Sequence, residues 1–110
     1  MVIGTVKPPL VEMMIANATR RYFINIGISH IGENEYEYEH IDIPIGKFDY
    51  EGIVDTLVTF KFPNDKMQAV INNYLLEPEN SEYTTAFHEM QAWRKEAKEI
   101  AKQALEYELH

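Results

Sequence analysis

The sequence predicts an α+β fold in which an antiparallel β-hairpin is followed by three helices, the last of them long. Three observations lead to this prediction: apolar residues alternate with a period of two from Tyr22, they recur at helical spacing after Asp49, and they follow a regular 4-3 spacing beyond Asn80. No internal repeat and no Gly/Ser-rich linker divides the 110 residues. We therefore expect one domain over residues 1–110.

The composition is that of an ordinary globular domain and excludes several classes of protein. The chain is 45% hydrophobic and 25% charged, which does not match collagen-like or low-complexity sequences. Because it contains no Cys, it has no disulfide, no thiolate nucleophile and no Cys-ligated metal. Eighteen acidic residues against ten basic ones give a formal charge of −8, so we do not expect direct nucleic-acid binding through a broad basic face.

No stretch of the sequence has the features of a membrane span or of a signal peptide. The uncharged apolar runs are much shorter than about 18 residues. The start of the chain lacks a charged region followed by a long apolar one. We therefore expect a soluble, cytoplasmic protein that does not enter a membrane.

The first 18 residues are the ambiguous part of the chain. Pro8 and Pro9 interrupt any regular element there, and residues 10–18 fit either a short helix or an extended segment. A third, N-terminal strand and an extended or poorly ordered arm over residues 1–18 are both left open.

The predicted hairpin consists of two alternating segments. Its first strand has an apolar face formed by Tyr22, Ile24, Ile26 and Ile28. Turn residues fill positions 30–34, and alternation resumes over residues 36–43. The apolar residues of the second strand change parity midway, which we interpret as two useful faces or as a β-bulge near Glu39 and His40.

Cap residues and prolines delimit the three helices. Pro63 ends the first helix and Pro78 ends the second. The third runs to about residue 107. The N-caps of the three helices are predicted to be Asp49, Asn64, and Asn80 or Ser81.

The long third helix carries the most regular pattern in the chain. An apolar stripe steps along it in alternating intervals of four and three residues: Ala86, Met90, Trp93, Ala97, Ile100, Ala104 and Tyr107. Small Ala residues beside a Trp allow another element to approach the helix closely. That element is either part of the same domain or a helix of another chain, and the sequence leaves both interpretations open.

Two clusters of opposite charge accompany the stripe. A basic ridge repeats every four residues on the third helix and consists of Arg94, Lys98 and Lys102. An acidic row, spaced by about 7 Å along the second strand of the hairpin, consists of Glu33, Glu35, Glu37 and Glu39. The ridge is interpreted as a solvated face, as a site for a phosphate backbone, or as a contact for acid from another copy or another strand. The row is interpreted as an exposed face that prevents unwanted pairing at a sheet edge, or as a surface for a basic partner. The residues predicted to make contacts are Trp93, Ala97, Ile100, Ala104, Arg94, Lys98, Lys102, Glu35, Glu37 and Glu39.

No motif predicts catalysis. The sequence lacks a nucleophile elbow, and its five glycines form no phosphate-binding loop. His40 with Glu39 and Asp42 is the one group that suggests a metal, and it lacks the usual spacing of metal ligands. We therefore predict no catalytic residue, no cofactor, no metal and no small-molecule substrate, and a metal enzyme that uses these three residues is kept as a minority hypothesis.

Three segments carry a resemblance to a known group of proteins. Residues 46–54, 69–75 and 89–98 resemble those of small uncharacterised proteins encoded in phage and prophage regions of gut bacteria, and the resemblance covers about residues 20–107. It implies a small accessory or structural protein of a phage-like element. No catalytic motif is part of it.

The leading hypothesis is a non-enzymatic, phage-like accessory or structural protein that acts through protein–protein contacts, as a minor virion component or an assembly factor. Its partner is expected to be another protein or a second copy of the chain, in the cytoplasm or within a phage-like particle. The alternative is an acidic binding module that engages a basic, nucleic-acid-binding partner through the acidic row.

Overall fold

A four-stranded antiparallel sheet is followed by three helices, which confirms the predicted α+β class. The computed structural model describes residues 2–109, with side chains through residue 107. The elements, in chain order, are β1 (Val2–Gly4), β2 (Val11–Ala16), β3 (Thr19–Gly32), β4 (Glu35–Ile43), α1 (Tyr50–Lys61), α2 (Asn64–Leu76) and α3 (Ser81–Leu109). The strand order is β1-β4-β3-β2, so the N-terminal strands extend the predicted hairpin on both of its sides.

The N-terminal segment is extended, and the short helix considered for residues 10–18 is wrong. Residues 11–16 form β2, which pairs with β3 along its whole length. The two strands meet at a two-residue turn, where Asn17 and Ala18 have φ values of 52° and 63°, as a type I′ hairpin turn requires. The third strand that the sequence leaves open is therefore present, and the short β1 adds a fourth.

The irregularities of the β3–β4 hairpin lie in β3, so a bulge in β4 near Glu39 and His40 is wrong. The other interpretation, two useful faces of β4, agrees with the structure, because Ile41 and Ile43 lie in the core whereas Tyr38 and His40 contact each other on the opposite side. Pairing is regular from Tyr22↔Ile43 to Ile26↔Glu39, and the register then shifts between Ile26 and Ser29 and again between His30 and Gly32. Gly27 lies at the first shift with a φ of 62°, a conformation that glycine adopts without strain. The extra residue ends the predicted apolar face after Ile26.

The helix starts follow the caps that the sequence predicts at two of three positions. Asp49 accepts a hydrogen bond from Gly52 N at 2.7 Å and caps α1. Asn80 Oδ1 accepts from Glu82 N at 2.9 Å at the start of α3. Asn64 is the first residue of α2 rather than its cap, because Pro63 takes the N-cap position without a side-chain hydrogen bond.

The core lies between the sheet and helices α1 and α3. Its sheet side consists of Val11, Ile24, Ile26, Ile41 and Ile43, and its helix side of Ile53, Leu57, Val58, Trp93, Ala97, Ala101 and Ala104. Helix α2 has no fully buried residue. It is held to α3 by stacking of Tyr74 on Phe87, whose ring centroids are 4.2 Å apart.

Candidate functional site

The apolar stripe of α3 is packed inside this chain, which is the first of the two interpretations left open by the sequence. Trp93 is 6% exposed, and its indole N–H donates to Leu57 O of α1 at 2.9 Å. Lys61 Nζ lies 3.9 Å from the centroid of the Trp93 ring, within reach of a cation–π interaction. The side chains of Ala97 and Ala104 are fully buried. These residues therefore join elements of one chain and do not form a surface for a partner.

The buried positions of α3 follow the 3.6-residue period of a straight helix and depart from the predicted 4-3 spacing toward the end of the stripe. Ala101 is fully buried, Ile100 is only partly buried against the core, and Tyr107 is 49% exposed. A straight helix has 3.6 residues per turn, so a strict spacing of 3.5 drifts away from the buried side over several turns. The drift moves the contact from Ile100 to Ala101.

The basic ridge does not form one continuous positive strip. Arg94 and Lys98 line a groove of about 280 Å³ between α1 and α3, whereas Lys102 forms an exposed ion pair with Glu99 at 3.6 Å. The groove is also lined by apolar and acidic residues of α1 and α2: Tyr50, Glu51, Val54, Asp55, Val58 and Met67. Acidic side chains therefore accompany the two basic ones, which does not favour a phosphate ligand.

The acidic row begins in the hairpin turn and continues on the helix side of β4. Glu35 is exposed, whereas Glu37 and Glu39 are half-buried. Because side chains alternate along a strand, Glu35, Glu37 and Glu39 share a side with Ile41 and Ile43, which belong to the core. The exposed, strongly acidic part of the row is thus confined to the tip of the hairpin.

The opposite side of the sheet carries a hydrogen-bonded network centred on Asn25, which is 1% exposed. Its Nδ2 donates to Pro9 O at 2.8 Å and to Glu12 Oε1 at 2.9 Å. Its Oδ1 lies 2.6 Å from Nδ1 of His40, the residue paired with Asn25 across the β3–β4 ladder. All three side-chain bonds of this buried amide are therefore made within the chain.

The network fixes the orientation of the His40 ring. Pro9 O only accepts hydrogen bonds, so the NH₂ group of Asn25 must point toward it, and the amide oxygen then points toward His40. His40 Nδ1 must consequently carry a proton and donate it. The ring is also stacked on Phe23, at a centroid distance of 4.4 Å, so it is held from two directions.

His40 belongs to a band of rings on this side of the sheet, which we call the aromatic face. It consists of Phe23, His30, Tyr36, Tyr38 and His40. His30 stacks on Tyr36 at 4.7 Å, and Tyr38 meets the edge of His40 at 6.4 Å. Helices α1 and α3 pack on the other side of the sheet, and the aromatic face ends beside an ion pair between Arg21 and Asp42. Large rings are therefore left partly exposed.

The connection between β1 and β2 crosses part of the aromatic face. Residues 4–9, together with Glu12 and Tyr38, line a cavity of about 280 Å³. Pro8 is buried, and Pro9 O accepts from Asn25. The connection therefore acts as a strap that covers the Asn25 network.

The metal hypothesis fails on the geometry of β4. Alternation along the strand places Glu39 on the helix side, and His40 and Asp42 on the aromatic face. In the part of the chain that the structure describes, no group of three or more His, Asp or Glu residues is arranged to hold a metal ion. His40, Glu39 and Asp42 therefore do not form a metal site.

Sequence reasoning missed Asn25, Glu12 and Phe23. A polar Asn in the middle of an apolar strand is a signal, because a buried amide needs partners. The partners themselves are contributed by residues that are 13 to 16 positions distant in sequence, and no local pattern identifies them.

Comparison with known proteins identifies no relative. No protein-family model matches the chain, and no curated protein or solved structure has significant similarity to it. Within residues 2–109, no helix combines the length and apolar character needed to cross a bilayer.

Proposed function

We propose that this chain is a non-enzymatic accessory or structural protein of a phage-like particle, present as a minor component or an assembly factor, and that it binds another protein through the aromatic face. The observation that carries the proposal is the band of partly exposed rings on the side of the sheet opposite the helices. Such a protein would work in the cytoplasm, where particles assemble, or within the particle itself.

The aromatic face has the properties of a contact surface for a protein. Aromatic residues are enriched at the centres of protein interfaces, where they supply most of the binding energy. Here Phe23 and His40 hold each other by stacking, and Asn25 fixes the His40 ring through Nδ1. Side chains that are already ordered lose little conformational entropy on binding. A partner that buries these rings would therefore gain apolar contact at low cost.

The test is binding of the purified chain to phage-like particles from a host that carries its gene. A variant with Phe23→Ser and Tyr36→Ser removes two rings of the aromatic face, and we expect it to bind at least about tenfold more weakly than the wild type. Lys95→Ser, on the exposed surface of α3, is the matched control and should bind normally. Equal binding of all three proteins would contradict the proposal.

The acidic binding module is retained as a second candidate because of the net charge of −8 and the exposed Glu33 and Glu35 at the hairpin tip. A partner of this kind would be a basic, nucleic-acid-binding protein held by electrostatic attraction. Its binding should fall steeply as salt rises and should be competed by DNA. Binding that is insensitive to salt and to DNA would exclude this candidate.

A further inference from the structure

Strand β2 is an unprotected edge of the sheet. Among the described residues its only strand partner is β3. The exposed fractions of Met13, Met14 and Ile15 are 44%, 55% and 67%. Proteins usually protect sheet edges with short strands, Pro or Lys. The opposite edge, β1, has three residues, whereas the six residues of β2 include neither Pro nor Lys.

The register of the β2–β3 hairpin determines which backbone groups of β2 point outward. In a hairpin with a two-residue turn, the residues flanking the turn, here Ala16 and Thr19, exchange hydrogen bonds with each other. Inward bonding then recurs at every second residue, and the bond from Asn25 N to Leu10 O at 2.9 Å follows this phase. The backbone N–H and C=O groups of Val11, Met13 and Ile15 therefore point away from the sheet.

We propose that β2 pairs with β2 of a second copy of this chain, antiparallel and about a two-fold axis at Met13. This arrangement places Met13 opposite its own equivalent and Val11 opposite Ile15 of the second copy. All outward groups of the three residues then find partners, in about six hydrogen bonds. The contact is isologous, and it joins two four-stranded sheets into one continuous sheet.

The charge distribution favours a second copy at this edge. Residues 1–32 contain three basic residues and one acidic residue, against seven and seventeen in the remainder of the chain. The acidic residue is Glu12, and its carboxylate accepts a hydrogen bond from Asn25 and is thus engaged within the sheet. Two chains of charge −8 therefore meet with the least repulsion at β2. Residual repulsion is screened by salt, so the dimer should strengthen as ionic strength rises.

The inference goes beyond the proposed function, because the β2 edge and the aromatic face are separate surfaces. Its test is sedimentation of the full chain from about 10 µM to about 1 mM, at about 50 mM and about 500 mM NaCl. We expect the mass to rise from monomer to dimer with concentration, at lower concentration in the higher salt. A chain that stays monomeric under all these conditions would overturn the inference.

Met13→Pro is the decisive variant. It removes an outward N–H and places the proline ring at the pairing edge, while the inward bonds of Glu12 and Met14 are kept. It should remain monomeric, whereas Met13→Thr, which keeps the N–H and suits a strand, should dimerise within about tenfold of the wild type. If Met13→Pro dimerises as strongly as the wild type, the pairing of the two β2 strands is contradicted, because the dimer then forms through another surface.

A second measurement covers the case in which Met13→Pro does not fold. Hydrogen exchange at the Met13 and Ile15 amides of the wild type should slow as the concentration rises, because these N–H groups enter the new ladder. Exchange that is independent of concentration would overturn the inference. The Phe23→Ser and Tyr36→Ser variant should dimerise normally, so failure of the edge contact and failure of the aromatic face are distinguishable.

Discussion

Replacing Trp93 by Ala tests the packing that joins α3 to α1. Trp93 is 6% exposed, so almost the entire side chain would leave a cavity, and such changes cost about 3–5 kcal/mol. Domains have a free energy of unfolding of roughly 5–15 kcal/mol, so the variant should lose a large share of it. The melting temperature should fall by roughly 12–20 °C, at about 4 °C per kcal/mol.

Trp93→Phe separates the hydrogen bond from the volume of the ring. The variant keeps an aromatic ring in the core and loses the N–H that donates to Leu57 O at 2.9 Å. A net hydrogen bond contributes about 1 kcal/mol, and the smaller ring loses some packing, so we expect a total cost of about 1–2 kcal/mol. The order of stability should be wild type, then Trp93→Phe, then Trp93→Ala.

The assay is denaturant unfolding followed by far-ultraviolet circular dichroism, because Trp93 is the only Trp in the chain and the variants lose its fluorescence. Lys95→Ala, an exposed neighbour on α3, is the control and should stay within about 0.5 kcal/mol of the wild type. The reasoning is refuted if Trp93→Ala unfolds within about 1 kcal/mol of the wild type.

Three further changes test other parts of the fold. Gly52→Ala should destabilise the protein by about 2 kcal/mol or more, because a Cβ would lie 2.1 Å from Lys47 O. Gly32→Ala is the control and should be tolerated, because the nearest atom to its Cβ is 3.5 Å away. Equal melting temperatures of the two variants would contradict this prediction. Asn25→Ala should cost at least about 2 kcal/mol in denaturant unfolding, since it leaves buried polar partners unpaired, and a cost under about 0.5 kcal/mol would show that the network is dispensable. Changing Glu35 and Glu37 of the acidic row to Gln should leave the free energy of unfolding unchanged within about 1 kcal/mol, and a loss above about 2 kcal/mol would contradict this.

The sequence pattern predicts those elements that are determined by residues close together in the sequence. Alternation identified the two hairpin strands, and Asp49 was recognised as a cap because its hydrogen bond to Gly52 N spans only three residues. The parity change in β4 reflects two useful faces, one of the two interpretations that the sequence leaves open, and the bulge lies in β3, where Gly27 inside an alternating segment is itself a bulge signal. Weighing that glycine against the parity change in β4 would have located the irregularity.

Features that depend on contacts between residues far apart in the sequence could not be predicted from local patterns. Strand β1 has three residues and pairs with β4 at Tyr36 to Tyr38, and no short apolar segment shows that it will find such a partner. The spacing of the α3 stripe predicted a contact, but the choice between an internal and an external partner required the position of Leu57. The aromatic face likewise emerged only when register brought Asn25 opposite His40.

The most direct test of the central claim, that the chain acts by binding a protein through the aromatic face, is site-specific photo-crosslinking in a host that carries the phage-like element. A photoreactive benzoyl-phenylalanine replaces Phe23 in one protein and Lys95 of α3 in the other, and adducts are identified by mass spectrometry. The account predicts one abundant adduct with a structural protein of the particle from position 23 and none from position 95. No adduct from position 23, or the same adducts from both positions, would contradict it.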